Sequence, residues 1–122
     1  MGRWGVSVLK PVIPSEDKEQ MLFVQWFRRQ YPTVRIFAIP NGGHRHIAVA
    51  AKLKATGSSA GVPDLYIPEW NVWVEMKRQT RGVLSPAQKD WIAYLTSIDH
   101  TVIVGKGWQD AMQKILNLKG LT

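Results

Sequence analysis

The chain has 122 residues, 45% hydrophobic and 20% charged, the proportions of one globular domain rather than a disordered, collagen-like or membrane-embedded chain. Sixteen Lys and Arg against nine Asp and Glu give a net charge of +7, and a surface of that sign attracts polyanions, nucleic acid foremost. The absence of Cys excludes a disulfide scaffold, a thiolate zinc site and a Cys nucleophile.

One domain over residues 1–122 is expected, with 1–14 as an N-terminal arm that includes a short strand at Val6–Leu9. The arm's apolar run is short and broken by Pro11 and Pro14, unlike a signal peptide, so the expected location is the cytoplasm. Ser15 reads as the N-cap of a first helix. Glu16, Asp17 and Glu19 sit near its positive end, and Leu22, Phe23, Trp26 and Phe27 share one face. Tyr31-Pro32 stops it.

Val34–Ile39 reads as a strand, and Pro40-Asn41-Gly42-Gly43 as a turn. His44 to Thr56 reads as a basic helix ended by Gly57, and Ser58–Val62 as a loop. Asp64–Ile67 and Val72–Met76 are two strands joined by Pro68-Glu69-Trp70-Asn71. Pairing 67 with 72 carries the register through 66 with 73 and 65 with 74 to 64 with 75. Asp64 then faces Glu75, at roughly 4.5–5.5 Å between Cβ atoms. Glu75 and Lys77, two apart, share a face with Trp73. Trp70 lies in the turn, where the hairpin alone cannot bury it; a dimer contact and a DNA contact are both open. Arg78 to Leu84 is a basic loop.

Ser85-Pro86-Ala87-Gln88 has a capping Ser, Pro at N1 and Gln at N3, opening a helix to about Ser97. Thr101–Val104 reads as a buried strand and Gly105-Lys106-Gly107 as a turn. A last helix follows, with Trp108, Met112, Ile115 and Leu116 inward. The order α–β–α–ββ–α–β–α describes a mixed α/β sheet covered by helices.

Two carboxylates placed opposite each other repel unless a cation lies between them. Mg²⁺ and Mn²⁺ suit such oxygen ligands. Lys77 beside them is placed to orient water or stabilise charge on a phosphate. A metal, a basic surface and one Lys together describe phosphodiester hydrolysis. Arg45, Lys52, Lys54, Arg78 and Arg81 are candidate contacts to the DNA backbone. Asn41, His44 and His46 suggest a His/Asn metal nuclease less well, because no further His or Asn stands correctly on a following helix.

Pro63-Asp64, ten residues, then Glu75-Met76-Lys77 resembles the PD-(D/E)XK nuclease signature. Gly61-Val62-Pro63-Asp64-Leu65, Glu75-Met76-Lys77 and Leu84-Ser85-Pro86-Ala87-Gln88 together resemble the virus-type replication-repair nuclease family, VRR-NUC. Pro40-Asn41-Gly42-Gly43 with Arg45, then Lys52-Leu53-Lys54-Ala55, Gly57 and Gly61, is similar to small phage and prophage members. The resemblance implies a restriction-endonuclease-like fold and a Mg²⁺- or Mn²⁺-dependent endonuclease. It implies a homodimer acting on branched DNA such as four-way junctions. It assigns Asp64, Glu75 and the Met76 carbonyl to the metal, Lys77 to catalysis, and Gln88 to the site lining. A first-helix Glu completes the shell. Glu16, four before Gln20, fits the family pattern better than Glu19, which stays open. Gln88 also has the simpler role of closing the capping box. Two other functions compete: a non-catalytic basic nucleic-acid-binding module, and a sequence-specific restriction-type nuclease on the same fold.

Overall fold

The structure is a computed structural model that describes residues 12–40 and 47–120. The expected strand at Val6–Leu9, most of the Pro40–Gly43 turn, Arg45 and the two His beside it lie outside the described residues. Helix α1 spans Glu16–Gln30, capped by Ser15, whose hydroxyl accepts from the Lys18 amide at 3.2 Å. The sheet begins with a two-residue strand, β1, Phe37–Ala38. Next come α2 (Ile47–Ala55), β2 (Leu65–Ile67), β3 (Val72–Lys77), α3 (Pro86–Ser97), β4 (Thr101–Lys106) and α4 (Trp108–Leu118).

The four strands form one mixed sheet in the order β1-β2-β3-β4. β1, β2 and β3 are antiparallel neighbours, and β4 runs parallel to β3. The hairpin register is the expected one: Leu65 opposite Val74, Tyr66 opposite Trp73, Ile67 opposite Val72. Alternation then sorts the side chains. Leu65, Ile67, Val72, Val74, Met76 and Ile103 face a core closed by Phe23 and Phe27 of α1 and Ala111 and Ile115 of α4. Trp73, Glu75 and Lys77 face the other way, toward the side that α3 covers. The fold is the mixed α/β sheet with helices on both faces that the sequence leads one to expect.

Several elements differ from their sequence expectation. Only Phe37 and Ala38 of Val34–Ile39 enter the ladder, opposite Tyr66 and Leu65 of the short β2. Ile36 is buried without being paired. Gly105 and Lys106 extend β4 instead of turning. A Cβ on Gly105 would lie 2.5 Å from Ala111 Cβ, so this glycine lets α4 pack close to the sheet. β3 likewise runs on to Lys77, opposite Lys106. The hairpin turn is a 3-10 turn, Pro68–Trp70, closed by Asn71 in the left-handed region at φ 54°. Trp70 is half-buried within the chain, edge-on to Phe27 and Tyr31 at 5.4 and 4.8 Å, with Lys119 Nζ 4.2 Å from its ring centre.

Candidate active site

The β2–β3 hairpin places Asp64 one step beyond the last ladder pair. Its main chain is held by β1, where the Ile39 amide donates to the Asp64 carbonyl at 2.8 Å. Its side chain turns onto β3, where the Met76 amide donates to Oδ2 at 2.7 Å. The Asp64 carboxylate is thereby fixed beside Glu75. Glu16, on the first turn of α1, reaches the same place. Ligand oxygens of Glu16, Asp64 and Glu75 all lie within 4.8 Å of one another.

Glu75 is fully buried. Gln88 Nε2 donates to its Oε2 at 3.1 Å, and its Oε1 is buried with no hydrogen-bond partner. A buried carboxylate oxygen without a donor is costly. Without a cation the cost falls on protonation. Burial, then the charge of Asp64, pushes the Glu75 carboxyl up to about 9. Burial also raises Asp64, against the Met76 amide and the charge of Lys77. Burial raises Glu16, against the attraction of Lys77. Lys77 is itself 7% exposed. The three carboxyls thus crowd together beside one buried Lys, where a hard cation fits the oxygen donors.

Two glycines hold this geometry. Gly61 has φ +91°, and a Cβ there would lie 2.5 Å from the Ala87 carbonyl group. The Gly61-Val62-Pro63-Asp64 segment therefore passes directly against the first turn of α3. Gly82 folds the following loop back onto Lys77, whose Cβ would be 2.8 Å from a Cβ at Gly82.

Gln88 fills both of the roles that the sequence leaves open for it. Its Oε1 accepts from the Ser85 amide at 2.8 Å, the Ser85 hydroxyl accepts from the Gln88 amide at 3.1 Å, and Nε2 remains for Glu75. Glu19, the other candidate acid of α1, is engaged elsewhere. The Trp108 amide donates to its Oε1 and Gln79 Nε2 to its Oε2, each at 2.9 Å. The main-chain amide of Met76, rather than its side chain, meets the site, and its side chain lies in the core. Lys52 and Lys54 are exposed on α2, and Arg78 and Arg81 are exposed in the loop after Lys77. No sequence pattern signals the Glu19 contacts, because their partners stand 60 and 89 residues away.

No family model matches the chain, and no curated protein matches it by sequence. Among solved structures, one described as a VRR_NUC domain protein superimposes with a TM-score of 0.72 and 27% identity. The match covers 91% of this chain and 93% of that one. A sheet of this order, with two carboxylates and a lysine at the β2–β3 edge, defines a nuclease-class domain of the PD-(D/E)XK fold. Within that class, the chain is similar over nearly its whole length to this VRR_NUC domain protein.

Proposed function

We propose that this protein is a divalent-metal-dependent DNA endonuclease. The observation that supports this most is the buried Glu75 carboxylate, with one oxygen lacking a donor and the oxygens of Glu16 and Asp64 within 4.8 Å. Glu16, Asp64 and Glu75, with the Met76 carbonyl, would hold Mg²⁺ or Mn²⁺. Such an ion supplies charge neutralisation on the phosphate and a more acidic bound water.

The chain's own groups do the rest. Lys77 brings three N–H donors on one ammonium to a water or a phosphate oxygen beside the carboxylates. Gln88 holds the Glu75 carboxylate at one oxygen and leaves the other for the ion. In the reaction, a water oxygen bonds to phosphorus, one P–O ester bond breaks, and the water's proton ends on the solvent or the leaving oxygen. Lys52, Lys54, Arg78 and Arg81, with Arg45, supply phosphate contacts along the DNA backbone.

The preferred substrate is branched DNA, such as a four-way junction, and the working form is a homodimer. One domain carries one site, whereas paired cuts in a junction need two sites related by two-fold symmetry. The similarity to small phage and prophage members favours this substrate and action in the cytoplasm.

The test is cleavage of a labelled four-way junction and its matching linear duplex in Mg²⁺, Mn²⁺ or EDTA, beside Asp64→Asn. Metal-dependent paired cuts in the junction alone, absent from Asp64→Asn, are expected. Discrete fragments from linear duplex would replace the junction reading with a restriction-type one. No cutting by the wild type, with salt-sensitive binding retained, would leave only a binding module.

A further inference from the structure

Glu19 is a fully buried carboxylate outside the metal-type cluster. It sits one helical turn after Glu16 on α1, so one helix aims two acids at one end of the sheet. Its two oxygens are divided. Oε1 accepts from the Trp108 amide, the first of α4. The N-cap of α4 is Gly107, which has no side chain to satisfy that end, so Glu19 caps α4 from another element. The positive end of α4 in turn favours a carboxylate there. Oε2 accepts from Gln79, two residues after Lys77.

Between these two contacts, the Gly107 amide donates to the Lys77 carbonyl at 2.8 Å. Gly107 stands at φ +91°, and a Cβ on it would lie 2.8 Å from Gln79 Cγ and 3.4 Å from Glu19 Oε2. The main chain at Lys77 is therefore held from both sides by groups that converge on one carboxylate: Gly107 through the α4 cap, and Gln79 through its amide.

We propose that Glu19 is a positioning residue that fixes Lys77 against the Asp64–Glu75 pair. The proposal rests on the nuclease reading of the site. On this view α1 divides its two acids, Glu16 toward the ion and Glu19 toward the lysine. Neither the metal ligands nor the DNA contacts depend on Glu19 directly, so its loss affects the turnover step.

The test uses Gln79→Ala, Gln79→Glu and the exchange Glu19→Gln with Gln79→Glu in the full chain, with DNA cleavage in Mg²⁺ and amide hydrogen exchange by NMR. Gln79 is exposed, so Gln79→Ala releases the tether without opening the core. Gln79→Ala is expected to lower kcat by roughly 10- to 100-fold, with DNA KM and Mg²⁺ affinity unchanged, because a small misplacement of a catalytic group has that effect. Gln79→Glu sets two carboxylates together and lowers kcat further. The exchange restores an amide-to-carboxylate bond of reversed polarity, keeps the Trp108 cap through the carbonyl oxygen of the new α1 amide, and returns kcat toward wild type. Exchange at the Gly107 amide quickens in both single variants and slows again in the double one. Wild-type kcat and Gly107 exchange in Gln79→Ala, or a folded double variant that recovers nothing, would overturn the proposal. A wild-type protein that cuts no DNA in any metal would overturn the nuclease reading, and the Gly107 exchange would still report whether the clamp exists.

Discussion

Gln88 and Glu75 are joined by a 3.1 Å hydrogen bond from the same amide whose oxygen closes the α3 capping box. One side chain thus ties a helix start to a buried carboxylate. Ser85→Ala removes the capping hydroxyl without touching Glu75 and is expected to cost about 1 kcal/mol of stability, leaving kcat unchanged. Gln88→Ala loses its share of the cap and also strips Glu75 Oε2 of its donor. A stability loss of roughly 2–3 kcal/mol is expected, with a fall in kcat. Urea unfolding and single-turnover cleavage of the two variants check this, and equal kcat losses in both would rule out a separate role for Gln88 at Glu75.

The crowded carboxyls predict an unusual pH dependence in EDTA. Glu75 moves from an ordinary value of 4.5 up to about 9 on folding, chiefly by burial. A group raised on folding binds a proton in the folded state that the unfolded state releases. Its contribution is complete below the unfolded value and is lost as pH climbs toward the folded one. Asp64 and Glu16, both raised, act with the same sign. Metal-free stability is therefore expected to fall between about pH 5 and 9, by at most about 1.4 kcal/mol per pH unit for each proton. Glu75→Gln flattens the fall, and Mg²⁺ opposes it by replacing the proton. Urea titrations across that range check the slope.

Gly61 and Gly57 provide a matched pair. Both have positive φ, but nothing stands within 4 Å of a Cβ at Gly57, whereas a Cβ at Gly61 would meet the Ala87 carbonyl at 2.5 Å. Gly57→Ala carries only the backbone cost, about 1 kcal/mol. Gly61→Ala is expected to cost roughly 3 kcal/mol or more and to slow cleavage, because it pushes the Asp64 segment off α3. Thermal unfolding of the two variants reads the difference.

The exposed cations predict salt dependence. In the Asp64→Asn background, Lys52→Ala, Lys54→Ala and Arg78→Ala are each expected to lower the slope of log Kd against log salt by about 1. Arg81 adopts φ 63°, so Arg81→Gly removes the charge and relaxes the backbone together. Fluorescence anisotropy with junction DNA at several salt concentrations checks each slope.

The hairpin was legible because turn length and alternation together specify register. Asp64 and Glu75 come out opposite each other from turn length alone. Ser85 and Gln88 were legible as a cap because that motif is local. β1 was not: Val34–Ile39 alternates like a strand, yet a ladder needs a partner, and only Phe37 and Ala38 find one on β2. Gly105 reads as a turn in sequence, while its role is to admit Ala111. The spacing from Glu16 to Gln20 favours Glu16 in the sequence, but the contacts of Glu19 with Trp108 and Gln79 are ones that no local pattern encodes.

The chemistry proposed for this site stands or falls on Glu16, Asp64 and Glu75 binding one divalent cation together. Mn²⁺ binding followed by electron paramagnetic resonance reads this without intermediaries, in the wild type and in Asp64→Asn, at neutral pH without DNA. One tight Mn²⁺ per chain, displaced by Mg²⁺ and lost in Asp64→Asn, is the expected outcome. Mn²⁺ binding of equal affinity and stoichiometry in Asp64→Asn would show that the three carboxylates do not share an ion.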